Sequence, residues 1–259
     1  LLKRAPCPPE RLFPAPKVNW WLWLKALRPH QWVKNVLILI PLLLSHQFLD
    51  ISKLTAITVA FLAFCLAASS GYILNDLLDL AADRIHPTKR NRPFAAGLLP
   101  IESGLPLFAT LVVLSVLLSW WLPFIFTVIL GSYLLITISY SFYFKSKMVL
   151  DVMVLAGLYT IRIVAGSIAV DLKLSFWLLA FSMFIFSSLA FLKRYVELLQ
   201  LTDRKIIKHR NYMVDDIEMI ASVGPTSGYL AVLVFSLYIN TPDVRMLYHA
   251  PFILWLISP

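Results

Sequence analysis

Long uncharged stretches alternate along this chain with short, strongly basic loops. Residues 54–74 carry no charged side chain, and neither do the 40 positions from 105 to 144. An α-helix rises 1.5 Å per residue, so about 20 apolar residues cross the ~30 Å hydrocarbon core of a bilayer. The pattern predicts crossings at about 31–49 and 54–74, and two more within 105–144. Further crossings follow at 148–170, 174–192 and 223–239, with an eighth beginning at 247 and cut short at 259. Pro123 is the natural break between the third and fourth, because proline lacks the amide donor a helix needs. Ahead of the first crossing, residues 18–27 carry Trp20, Trp21 and Trp23 with Lys25, the make-up of a short helix lying at the membrane interface. Residues 1–17 hold Pro6, Pro8, Pro9, Pro14 and Pro16 and read as a linker, with residues 18–259 as the transmembrane domain. The expected fold class is all-α, a polytopic transmembrane helix bundle.

Composition agrees. Of 259 residues, 59% are hydrophobic and 14% charged. A net charge of +9 in a soluble protein would suggest nucleic acid, but here the loops account for it and no nucleic-acid motif is present. Two cysteines, Cys7 and Cys65, are too few for a disulfide framework or a zinc site. The loops after the second, fourth and sixth crossings hold twelve basic residues, against three (Lys53, Lys173 and Arg245) on the opposite side. The positive-inside rule then turns the basic face to the cytoplasm. The chain begins at Leu1 and ends inside an apolar run, and is expected to be a fragment.

The stretch 75–97 changes the picture from membrane protein to membrane enzyme. Within eighteen positions from Asn75 it gathers three carboxylates, one histidine and four basic residues. Asp76, Asp79 and Asp83 are spaced three and four apart, which stacks them on one helical face with Asn75 at its edge. Oxygen-only ligands in this arrangement suit Mg²⁺, which is usually held by one or two carboxylates plus substrate phosphate oxygens. Pro87 stops the helix. Lys89, Arg90 and Arg92 then follow, residue types that hold phosphates as point charges or bidentate forks. A solvated helix end would need the basic residues but not the aspartate ladder.

Other polar groups gather at the same membrane face. Asp151 stands near the cytoplasmic end of the fifth crossing and Arg162 near its middle, eleven apart and so on one face. Ionisable groups at such depth are costly and line a cavity or pair with another helix; both readings stay open for Arg162. Lys193, Arg194 and Glu197 close the sixth crossing, with Lys193 and Glu197 on one helical face. Tyr140 and Lys145 close the fourth, and Lys34 with Asn35 lies at the cytoplasmic turn of the first.

These residues resemble the UbiA superfamily of intramembrane prenyltransferases. The run N-D-x-x-D-x-x-x-D of residues 75–83 matches its first aspartate-rich motif. Within the superfamily the chain is similar to polyprenyl-phosphate phosphoribosyltransferases, through residues 28–35, the run His86-Pro87-Thr88-Lys89-Arg90-Asn91-Arg92-Pro93, and Tyr140, Lys145, Asp151, Arg162, Lys193, Arg194 and Glu197. The resemblance implies about nine helices, of which seven and a half fall in this chain. It implies an Mg²⁺-dependent transfer with diphosphate as leaving group, moving 5-phosphoribose from phosphoribosyl diphosphate to a polyprenyl phosphate. In that reading Asn75, Asp76, Asp79 and Asp83 hold the metal, Asp76, Asp79 and Asp83 being catalytic. The substrate-binding set is Lys34, Asn35, His86, Lys89, Arg90, Arg92, Tyr140, Lys145, Asp151, Arg162, Lys193, Arg194 and Glu197. The expected partners are an isoprenoid lipid, the diphosphate donor and membrane lipids, in a bacterial inner membrane with the site facing the cytoplasm. The alternative passes a polyprenyl group from its diphosphate to an aromatic acceptor such as 4-hydroxybenzoate. It is weakened because the loop after the sixth crossing lacks a D-x-x-x-D spacing. A transporter of an anionic metabolite or lipid is a third reading, but no internal repeat supports it.

Overall fold

A computed structural model describes residues 19–199 and 216–241; the linker at 1–17, the remainder of the loop after the sixth crossing and the eighth crossing lie outside the described residues. Among the described residues every regular element is helical. The α-helices are α1 (Trp20–Leu27), α2 (Ile40–Leu44), α3 (Ile51–Leu78), α4 (Leu80–Ile85), α5 (Gly104–Ser119), α6 (Phe124–Phe142), α7 (Leu150–Ala169), α8 (Phe176–Leu199) and α9 (Ile217–Ile239). Among the described residues six stretches are long and apolar enough to cross a membrane: α3, residues Ile101–Ser119, α6, α7, α8 and α9. They correspond to the second through seventh crossings read from the sequence. This is an all-α integral membrane protein.

The first predicted crossing needs correction. Residues 31–49 do not form one α-helix. A 3₁₀-helix runs over Pro29–Leu39, and α2 follows and ends at Leu44. Pro41 sits in the first turn of α2, where its missing amide does no harm but where it bars an α-ladder arriving from upstream. At ~2.0 Å per 3₁₀ residue and ~1.5 Å per α residue, the summed contour of the two pieces is about 30 Å.

The aspartate stretch also departs from a single helix. The ladder bonds Asp79 N–H to Asn75 O at 2.9 Å and Asp83 N–H to Asp79 O at 2.8 Å persist. Asp79 itself has φ −93° and ψ 11°, ending α3 one residue earlier and starting α4 one residue later. The helix bends where the sequence pattern alone would continue it straight.

The chain divides into two compact units, residues 1–33 with 65–114 and residues 34–64 with 115–259. The first unit is built on Ala26, Ile73, Phe94, Leu99 and Leu111, all buried. Phe94 is the loop's contribution to that core. Around it Ala96 N–H bonds Arg92 O at 2.8 Å and Leu98 N–H bonds Pro93 O at 2.9 Å. Gly97 takes φ +70°, a conformation glycine adopts without a Cβ penalty. The basic loop is thus anchored two residues after Arg92. In the second unit, α7 comes so close to the 3₁₀ segment that a Cβ on Gly166 would lie 2.0 Å from Ile38 O. The ring of Phe64 packs against Phe126 and Tyr133, with centroids 5.8 and 5.0 Å away.

Candidate active site

The first unit holds the aspartates. Asp76 and Asp83 are each 2% exposed. Arg92 Nη1 donates to Asp76 Oδ1 at 3.1 Å and to Asp83 Oδ2 at 2.5 Å. Those two oxygens are therefore no farther apart than the sum of the two distances. An unbroken helix would separate the residues by two turns, about 10.5 Å along its axis. The bend at Asp79 and the reach of one guanidinium draw them together.

A second guanidinium completes the cluster. Arg28 Nη2 donates to Asp76 Oδ1, and its guanidinium lies 5.4 Å from the ring centre of Tyr72. Arg28 follows α1 with φ 54° and ψ 57°, a left-handed conformation that costs a non-glycine residue roughly 1 kcal/mol. The turn is secured by Ser69, whose hydroxyl donates to Leu27 O at 2.9 Å and accepts from Trp32 Nε1 at 3.0 Å. Asp76 Oδ2 is buried and has no hydrogen-bond partner. Such an atom is costly in a protein interior and marks where a further positive group would fit.

His86 shapes the turn after α4. Its Nδ1 accepts from Thr88 N–H and Lys89 N–H, both at 3.3 Å, which assigns the proton of the neutral ring to Nε2. Partial burial, then the Lys89 ammonium, push the imidazole below its ordinary range against the opposing pull of Asp83. Arg90 is exposed and Lys89 half-buried on the one-turn 3₁₀ helix Lys89–Asn91. Asn75 and Asp79 are half-buried beside the bend. Among the described residues no three His, Cys, Asp or Glu side chains converge as a metal-holding group. The structure thus brings Asp76 and Asp83 together and does not draw in Asp79 as a third ligand. Two hard carboxylate oxygens within reach of one point, with Asp76 Oδ2 unpartnered, fit a Mg²⁺ that takes its remaining ligands from phosphate and water.

The second unit holds two further polar clusters. Arg162, 5% exposed, donates from Nε to Asn35 Oδ1 at 2.8 Å, from Nη2 to Tyr133 Oη at 3.0 Å and from Nη1 to Leu158 O. The rings of Tyr133 and Tyr159 lie 4.9 and 5.5 Å from its guanidinium. Every one of these partners is neutral. In the other cluster Arg194, 1% exposed, pairs through Nε with Asp151 Oδ2 at 2.7 Å and through Nη1 with Glu197 Oε2 at 2.6 Å. Tyr140 lies within electrostatic reach of the same guanidinium. Lys34 and Lys145 are half-buried and Lys193 exposed. The sequence reading missed Arg28, Tyr133 and Tyr159. A basic residue placed directly before Pro29 was the available signal for Arg28; the tyrosines, inside apolar spans, gave none.

Residues 36–206 match the UbiA prenyltransferase family. The chain belongs to the UbiA prenyltransferase family. Among its relatives, the uncharacterized protein y4nM of Sinorhizobium fredii is 39% identical over 88% of this chain and 45% of that protein. Decaprenyl-phosphate phosphoribosyltransferase of Mycolicibacterium smegmatis is 40% identical over 72% of this chain and 60% of that protein. Nodulation protein NoeC of Azorhizobium caulinodans is 35% identical over 89% of this chain and 75% of that protein. The chain therefore spans about half the length of the first two relatives. Its fold matches a UbiA homolog from Archaeoglobus fulgidus bound to DMAPP and Mg²⁺, with TM-score 0.73, 15% identity and coverage of 91% of this chain and 84% of that one. The UbiA resemblance expected from residues 75–83 is borne out, as is the all-α fold.

Proposed function

We propose that this UbiA-family chain is a Mg²⁺-dependent transferase that moves 5-phosphoribose from phosphoribosyl diphosphate to a polyprenyl phosphate. The observation that carries the reading is the buried Asp76–Asp83 pair, held by two arginines at the end of a membrane-crossing helix, with one carboxylate oxygen left unsatisfied. Relatives that are named decaprenyl-phosphate phosphoribosyltransferase support the choice of donor and acceptor.

Asp76 and Asp83 would hold the Mg²⁺, which when bound neutralises charge on a departing diphosphate. Asn75 and Asp79 flank them at the bend. Arg28 and Arg92 face the same oxygens and present fork-shaped donors to phosphate. Lys89 and Arg90, on the turn fixed by His86, supply further cationic contacts for the donor. A polyprenyl phosphate is already anionic and needs positioning more than deprotonation. Arg162, buried with neutral partners only, is the candidate for an acceptor or donor phosphate, with Lys34, Lys145 and Lys193 as further candidates in the same unit. Tyr140, Asp151, Arg194 and Glu197 form a polar group of their own in that unit. The site faces the cytoplasm of a bacterial inner membrane, where a water-soluble donor is made.

The test offers labelled phosphoribosyl diphosphate or labelled prenyl diphosphate with 4-hydroxybenzoate to membranes containing the full-length protein. Transfer of ribose phosphate to lipid is expected, and Asp76→Asn should abolish it while the protein remains inserted. Prenylated aromatic product without ribose transfer would overturn the assignment.

A further inference from the structure

The Asp76–Asp83 cluster carries its own counter-ions. Two buried carboxylates are matched by two guanidiniums, so the cluster is charge-balanced before any ligand arrives. Arg92 Nη1 sits on both carboxylates at once, and Arg28 shares Asp76 Oδ1 with it. A divalent cation arriving alone must share these oxygens with two cations in a poorly screened site. A diphosphate reverses the balance. It brings more negative charge than one divalent cation offsets, and it gives both guanidiniums new oxygens of the geometry they fit best.

From this geometry we propose that Arg28 and Arg92 make divalent-cation binding and diphosphate binding mutually dependent. Resting, they hold Asp76 Oδ1 and Asp83 Oδ2; with a diphosphate present, they turn to its oxygens and leave Asp76 and Asp83 to the cation. The proposal rests on the transferase reading of the same site and names the residues that regulate its loading. Coupling between two ligands is reciprocal, so each tightens the other by one factor. Asp76 Oδ2 is the second, independent sign. It is buried and unpartnered although two arginines stand on its sister oxygen, so the resting pairing leaves one acceptor position unfilled.

Binding of Mn²⁺ to the purified full-length protein in nanodiscs tests this by equilibrium dialysis and the electron paramagnetic resonance of bound Mn²⁺. Measurements run with and without inorganic pyrophosphate, with Asp76→Asn as the blank for metal held by pyrophosphate alone. Unmodified protein should bind Mn²⁺ at least tenfold more tightly when pyrophosphate is present. Arg92→Gln should bind Mn²⁺ alone about tenfold more tightly than unmodified protein, and the gain from pyrophosphate should shrink. Arg28→Gln should move both quantities the same way, a change that a purely structural role would not produce. Equal Mn²⁺ affinity with and without pyrophosphate, in a protein whose binding still requires Asp76, would overturn the coupling and leave the transferase reading standing. Binding indistinguishable from the Asp76→Asn blank under both conditions would overturn both.

Discussion

Arg194→Met tests whether the pairing of Arg194 with Asp151 and Glu197 is a structural latch or part of the binding surface. The substitution keeps the bulk of the side chain and removes its charge, leaving Asp151 fully buried without its guanidinium. Removing one partner of a buried pair costs about 3–5 kcal/mol, because the remaining charge loses its counter-ion. Glu197, a third exposed, is screened by solvent and adds little. In a chain of this size 1 kcal/mol moves Tm by roughly 2–4 °C, so the variant should melt roughly 6–20 °C lower. Thermal unfolding of the purified full-length protein, followed by tryptophan fluorescence, reads that shift. Replacing the pair together, Arg194→Met with Asp151→Leu, should restore most of the loss, since apolar replacements of buried pairs are often neutral. The argument fails if Arg194→Met leaves Tm unchanged while the Michaelis constant for donor or acceptor rises. Arg194 would then be a substrate ligand.

Three further outcomes follow from the packing and the loops. Gly166→Ala should destabilise by about 1–3 kcal/mol despite the helix propensity of alanine, because its Cβ would strike Ile38 O; the same melting experiment reads this. His86 has its folded pKa depressed, so its contribution is present above the unfolded value near 6.5 and is lost as pH falls through the lower folded value. Protection factors of the Thr88 and Lys89 amides should accordingly fall as pH drops below the ordinary imidazole range, and His86→Ala should lower them at all pH values. Single cysteines at Asn91 and Lys147 should react with membrane-impermeant reagents only from the cytoplasmic side; labelling of both from outside intact cells would invert the orientation read from the loop charges.

Hydrophobic pattern made the crossings legible because uncharged length is a strong constraint in lipid. Their ends were less so. Helix α3 begins at Ile51 and carries Lys53 in its first turn, where a long side chain can reach Gln47 Oε1. The first crossing misled because Pro41 and the buried Asn35 override an apolar composition that would suit an α-helix. In the candidate site, the carboxylates were readable from spacing, but their convergence was not, since it depends on the bend at Asp79. Arg28 lies 48 residues from Asp76, and no local pattern records a left-handed turn aimed at a distant helix. Lys193 and Glu197 suggested an i,i+4 pair; that Arg194 also takes Glu197, at i,i+3, while holding Asp151, 43 residues away, was not readable from spacing.

The length of α3 sets where chemistry can happen. Its 28 residues extend about 42 Å, well beyond the hydrocarbon thickness. With the uncharged window 54–74 filling the oily layer, Asp76 stands about 3 Å past its edge, at the depth of the headgroups. A lipid phosphate, the acceptor proposed above, would ride at that level and search for the aspartates by sliding within a plane. A water-soluble diphosphate reaches the same level from the bulk without entering hydrocarbon. In the proposed reaction one reactant would arrive in two dimensions and the other in three, and neither would have to leave the medium that dissolves it.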